Sequence, residues 1–267
     1  MGSIDQMLLT CVEAAHAGGE ILMKGFRKLH HSQVDLKGTG DWVSQVDIDS
    51  EKAIVSSIRS RYPDHAIHAE EGGRAESGSD VEWIIDPLDG TANFVHGIPI
   101  FSVSIAVMRK GEILLGAVFD PEGKELFSAC KGCGAFLNGE PIQVSPKESI
   151  RDGFLASGFP WRSKEHLDAY LASFRDLFLI SAGIRRLGSA ALDLAYTACG
   201  RFDGFWEMKL KPWDIAAGVL ILREAGGIAT DFKGGDSFMQ SGNVVAANRH
   251  IHPVIMEVTA RHLSQVG

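Results

Sequence analysis

Between Asp214 and Ala225 the chain offers almost nothing to water. Ile215, Ala216, Ala217, Val219, Leu220, Ile221 and Leu222 leave no polar stripe, and Gly226-Gly227 ends the run. A helix that is apolar all round must be covered on every side. This excludes a simple surface helix and requires layers above and below it. The rest of the chain supplies them. Helical patterns and β-rich runs are interspersed without regular βαβ alternation, which implies layered mixed sheets. The expected fold class is α+β, with layered mixed sheets. At 267 residues the chain is expected to form one domain over 1–267, with two lobes at about 1–145 and 146–267 as the alternative.

The local signals fix an expected element order. Ser3 is a candidate cap for a first helix in which Ile4, Leu8, Cys11, Ala15, Leu22 and Phe26 recur at helical spacing. Residues 41–47 read as extended and Ile48–Ser60 as a second helix, stopped by Tyr62-Pro63. Gly72–Asp80 reads as a polar loop. Val81–Asp86 reads as a strand ending at Pro87. Phe101–Met108 and Ile113–Phe119 read as a hairpin joined at Arg109–Glu112. Glu125–Cys130 follows as a strand, with a tight turn at Asn138-Gly139. The last third predicts helices around Leu167–Phe178, Ser189–Cys199, Asp214–Ala225 and Pro253–Leu263. Short strands lie between them at Phe154–Ser157, Phe205–Met208 and Val244–Ala247.

Charge and cysteine usage narrow the partners. Asp and Glu number 34 against 26 Lys and Arg, a net charge of −8. No basic footprint for nucleic acid follows. No apolar run approaches the roughly 20 residues of a membrane span, and the start lacks a secretory leader, so a cytoplasmic protein is expected. Cys130 and Cys133 have a C-x-x-C spacing, but Cys11 and Cys199 make no second pair. Zinc is therefore disfavoured and reduced thiols are expected. His30-His31 reads as solvent-facing.

The chemistry concentrates in Trp83-Ile84-Ile85-Asp86-Pro87-Leu88-Asp89-Gly90-Thr91-Ala92-Asn93-Phe94. A hydrophobic strand delivers Asp86, Pro87 fixes a turn, and Asp89 follows three residues later. Gly90 and Thr91 then open a helix whose free N–H groups face the same place. Carboxylates beside such N–H groups suit a hard cation bridging to a phosphate. An acidic turn capping a helix is the alternative. Glu70-Glu71 after an apolar pair, and Trp213-Asp214 at the head of the apolar helix, are further acids in suitable settings. Aspartyl-phosphate, P-loop, zincin and nucleophile-elbow patterns are absent.

Trp83 through His96 resembles the first signature of the inositol monophosphatase family, and Trp213 through Gly227 resembles its second. The likeness extends over nearly the whole chain and is to the bacterial branch. It includes Asp41–Asp47, Glu70-Glu71, Gly188–Ala191 and Phe205–Glu207 in the family order. The resemblance implies a layered α/β/α/β/α sandwich and Mg²⁺-dependent hydrolysis of a phosphate monoester, most readily inositol 1-phosphate, by a Li⁺-sensitive homodimer. It implies that Glu70, Asp86 and the Leu88 carbonyl hold one Mg²⁺, and that Asp86, Asp89 and Asp214 hold a second. A third, weaker ion would share Glu70. The N–H groups of Gly90 and Thr91 would take the phosphate. Asp47, Thr91 and Glu70 would activate water, and Glu207, Asp89 and Ala190 would face the alcohol of a small phosphorylated polyol. Oxygen-only ligands independently favour Mg²⁺ or Mn²⁺ over zinc.

Other features bear on the choice of substrate. Lys37 lies near the position of a mobile-loop lysine of the family, with a solvated lysine as the alternative. Gly158-Phe159-Pro160-Trp161 and Lys211-Pro212 depart from the animal pattern. Fructose-1,6-bisphosphatase, histidinol-phosphate phosphatase and bisphosphate nucleotidase are the related alternatives. A transcription-complex binding role is the alternative of another class. Arg185-Arg186 reads as a solvated basic spot, with a dimer edge or a second-phosphate contact as alternatives.

Overall fold

In a computed structural model, residues 4–28, 34–38, 41–75, 77–161 and 163–266 are described. Ser3, His30-His31 and the side chain of Lys37 lie outside them. The helices are α1 (Ile4–Gly25), α2 (Gln45–Arg61), α3 (Thr91–Val95), α4 (Leu167–Ile180), α5 (Ala190–Ala198), α6 (Pro212–Glu224), α7 (Phe238–Ser241) and α8 (His252–Leu263). Val34–Gly38 and Asp41–Ser44 form a separate antiparallel pair.

Two sheets organise the rest. The larger has eight strands, running in space from Glu140–Pro141 through Gly134–Leu137, Glu125–Cys130, Glu112–Asp120, Ser102–Arg109 and Val81–Asp89 to Ala66–Ala69 and Gly73–Ala75. The smaller has five, in the order Gly183–Arg185, Phe154–Ser157, Gly204–Glu207, Val244–Ala247 and Ile228–Thr230. α1 and α2 pack on one face of the large sheet. α6 packs on its other face and α5 joins α6 to the small sheet. α8 covers the far side of the small sheet and pairs with α4. The layers are therefore α/β/α/β/α.

α6 occupies the middle layer, as its composition requires. Every residue from Asp214 to Leu222 is buried, and its apolar side chains share one core with α5 and with strands of both sheets. Truncating Ile221, which is fully buried, would cost about 2–5 kcal/mol. Pro212 stands in the first turn, where a missing N–H costs nothing.

The hairpin turns follow their residues. Lys110 and Gly111, and again Asn138 and Gly139, all have positive φ, which matches the twist of two-residue hairpins. The four cysteines are free thiols, with Cys133 exposed.

Three local expectations are corrected. The extended segment stops at Ser44, and the helix begins at Gln45 rather than Ile48. Ser44 caps α2, accepting from the Val46 N–H, while its own N–H donates to Asp47, so the acid lies inside the first turn. The loop at Gly72–Asp80 contains a short strand, because Gly73–Ala75 pairs with Ala66–Ala69. The strand from Val81 does not stop at Pro87. It runs to Asp89, and the proline sits where the pairing register slips between Asp86 and Asp89. An irregularity of this kind tolerates a residue that cannot donate.

Candidate active site

One cavity of about 280 Å³ gathers most of the predicted residues. Glu70, Asp86, Leu88, Asp89, Gly90, Thr91, Ala190, Glu207 and Asp214 all line it. Asp47 stands behind Thr91. Several elements supply these groups. Glu70 follows the strand Ala66–Ala69, and its N–H donates to Ile85 O at 3.1 Å. The His68 ring meets Trp213 edge-on at 5.3 Å, and Ser104 Oγ donates to Trp213 O at 3.0 Å. These contacts hold the head of α6, and so Asp214, against the large sheet.

The strand-end turn is held from within. The Leu88 N–H donates to Asp86 Oδ1 at 2.9 Å, and Ser50 Oγ on α2 donates to Pro87 O at 3.0 Å. Gly90 follows at φ 94°. A Cβ there would lie 2.9 Å from Ile100 O, so both dihedral and space demand glycine. α3 is only five residues long. Asn93 Nδ2 lies 2.8 Å from both Ile100 O and Leu187 O, which ties this turn to the loop before α5.

Ser189 is a site residue that sequence reading missed. It caps α5 and also donates to Asp89 Oδ2 at 2.6 Å, where the Ala191 N–H converges at 2.8 Å. Serine ahead of a helix is a cap signal; its second partner, 100 residues away, leaves no local trace. Arg186 is exposed, as expected, and it also borders the cavity with Trp161 and Gly158.

The electrostatics are those of acids crowded without enough positive charge. Burial pushes Asp86 well above the usual carboxylate range, and Glu70, Asp89 and Asp214 push it further. Asp89 rises to about 7, mainly through burial and then Asp214, against its hydrogen bonds from Ser189 and Ala191. Asp47 is pushed up to about 6 by burial, opposed by its bonds from Ser44. Asp193 on α5 is also displaced upward, by burial and then by Glu207 and Asp89. Its Oδ1 has no hydrogen-bond partner among the described residues.

This donor set fits hard divalent cations. Its ligands are oxygens, they repel one another, and a cation bound among them would remove the repulsion. Among the described residues no three such side chains already stand as a metal cage, so the fit rests on donor chemistry and the shared cavity.

The family model described as "Inositol monophosphatase family" matches residues 3–267. The chain belongs to the inositol monophosphatase family. Nus factor SuhB of Vibrio cholerae is 48% identical over 262 residues, covering 98% of this chain and 97% of that protein. The solved structure of extragenic suppressor protein suhB from Bartonella henselae superposes with a TM-score of 0.92 at 40% identity, over 95% of this chain and 98% of that one. Inositol monophosphatase from Anabaena (Nostoc) gives 0.86 at 36% identity, over 97% and 98%. The layered architecture is thus that of inositol monophosphatases, as the two signatures implied.

Proposed function

We propose that this chain is a Mg²⁺-dependent phosphate monoester hydrolase whose substrate is a small phosphorylated polyol, inositol 1-phosphate first among them. One observation carries the reading: Glu70, Asp86, Asp89 and Asp214 share one cavity with Gly90, Thr91 and Glu207. Glu70, Asp86 and the Leu88 carbonyl would hold one Mg²⁺, and Asp86, Asp89 and Asp214 a second. When bound, the ions supply charge neutralisation for the phosphate and an acidified water.

The remaining roles belong to the chain. The N–H groups of Gly90 and Thr91 hold phosphate oxygens. The Thr91 hydroxyl, backed by Asp47 and by Glu70, orients the attacking water. Glu207 and Asp89 accept hydrogen bonds from substrate hydroxyls beside Ala190. A carboxylate at position 207 suits hydroxyls and repels a second phosphate, which favours a polyol monophosphate over fructose 1,6-bisphosphate or a bisphosphonucleotide.

The homodimer and the cytoplasmic setting belong to the same proposal. Among the described residues no helix is long and apolar enough to cross a membrane. Phosphate release should be measured across inositol 1-phosphate, fructose 1,6-bisphosphate and histidinol phosphate, with Mg²⁺ and with chelator. Preference for inositol 1-phosphate supports the reading, and release that chelator leaves intact overturns it.

A second reading rests on the name Nus factor SuhB carried by similar proteins: a binding role in a transcription complex. A scaffold needs the fold and not the turnover. Co-purification that survives Asp89→Asn would support a separate binding role.

A further inference from the structure

Gly158 directly follows one strand, and Glu207 ends the parallel strand beside it. Phe154–Ser157 pairs with Gly204–Glu207, with Ser157 opposite Trp206, so each residue comes next after a paired position. Ser157 Oγ donates to Trp206 O at 2.7 Å and lies 2.8 Å from Tyr170 Oη, which locks the two strand ends together. A Cβ added to Gly158 would fall inside the Glu207 carboxylate, overlapping Cδ and both oxygens. The backbone at Gly158 is outside the left-handed region, so no dihedral demands glycine. Space alone excludes a side chain, and what fills that space is the acid. Both residues line the cavity, beside Arg186 and Ala190.

We infer that Gly158 is a specificity-determining positioning residue: its bare Cα is the seat against which the Glu207 carboxylate lies, and this sets the acid's reach toward the hydroxyls of a polyol monophosphate. The inference rests on the phosphatase reading above. A methyl group at 158 displaces only the far end of a flexible side chain, so the fold survives it. What it removes is the acid's position.

The test compares Gly158→Ala, Glu207→Ala and the double variant, each with Mg²⁺, on inositol 1-phosphate and on p-nitrophenyl phosphate, which has no hydroxyl for Glu207 to meet. Gly158→Ala should lower kcat/KM for inositol 1-phosphate at least about tenfold more than for the aryl phosphate, as expected when a hydrogen bond to a charged group is lost. In the Glu207→Ala background the same change should add less than about twofold, because nothing remains to displace. Melting temperatures check that each variant is folded. Equal losses on both substrates, or a full additional loss in the Glu207→Ala background, overturn the role of Gly158 and leave the phosphatase reading standing. A wild-type protein that hydrolyses neither substrate overturns both.

Discussion

Thr91 Oγ1 lies 3.1 Å from Asp47 Oδ1 and 2.9 Å from Leu88 O, with one proton to give. The two acceptors compete for it. When Asp47 is ionised the proton belongs on the carboxylate, which leaves the hydroxyl's lone pairs for a water. When Asp47 is protonated that preference is lost. The helix cap at Ser44 aims the acid, since both the N–H and the hydroxyl of Ser44 donate to its other oxygen.

Thr91→Ala should therefore lower kcat more than it raises KM. Alanine keeps the backbone N–H proposed to hold phosphate and loses only the hydroxyl, whose role is greatest in the transition state. Steady-state kinetics on inositol 1-phosphate decide this. A normal kcat with a raised KM would reduce Thr91 to a substrate-binding role.

Asp89→Asn should abolish turnover while the protein stays folded. The change keeps an acceptor for Ser189 and the Ala191 N–H, which now meet Asp89 Oδ2. It removes the charge proposed to hold the second ion. The expected loss is about 10²-fold or more, by comparison with other electrostatic groups. Circular dichroism and phosphate release on the same sample check it, and near-normal activity would sink the two-metal assignment.

In metal-free protein, Asp47→Asn should change stability in a way that depends on pH. Burial is the main cause of the rise of Asp47 to about 6 from an ordinary 3.8. The fold thus prefers the protonated acid. Its contribution is fully present below about pH 4 and is lost as pH rises through about 6, by roughly 3 kcal/mol in all. At pH 7.5 the asparagine variant should be the more stable by about 2–3 kcal/mol, and near pH 4 the gain should vanish. Denaturant melts in chelator at both pH values measure this. A constant difference would show that the acid is not held against ionisation.

Ion dependence should follow size and charge. Activity should require Mg²⁺, accept Mn²⁺ in part, and fall with Ca²⁺ and Li⁺. Ca²⁺ takes more ligands at longer distance than octahedral Mg²⁺ and misplaces the water. Li⁺ at Asp86, Asp89 and Asp214 brings only one charge, and this part follows from the family resemblance. Restoring each ion singly after chelation is the check. Metal dependence without Li⁺ sensitivity would move the protein toward a lithium-tolerant relative.

Much of this molecule is local information. The apolar run of α6 required layers on both sides. Lys110-Gly111 and Asn138-Gly139 carry the positive φ that closes hairpins. The stretch from Trp83 to Phe94 marked the acids, since a strand, a proline and a glycine in that order leave few conformations open. Local reading failed where a neighbour in space decided. Pairing with Ala66–Ala69 makes Gly73–Ala75 a strand, and the register slip lets the strand from Val81 pass through Pro87.

The site itself was decided by tertiary structure. Periodicity reports that a side chain is covered, but not by what. The residues alone marked Glu70 and Asp214 as acids in suitable settings, and the family resemblance assigned their roles. Only packing of α6 on the large sheet brings them to Asp86. Ser189 reaches Asp89 across 100 residues, Arg186 comes to the cavity's edge, and Gly158 makes room for Glu207. These are contacts between elements whose ends meet only after both sheets have closed around α6. Their energies depend on distances that no window of sequence contains.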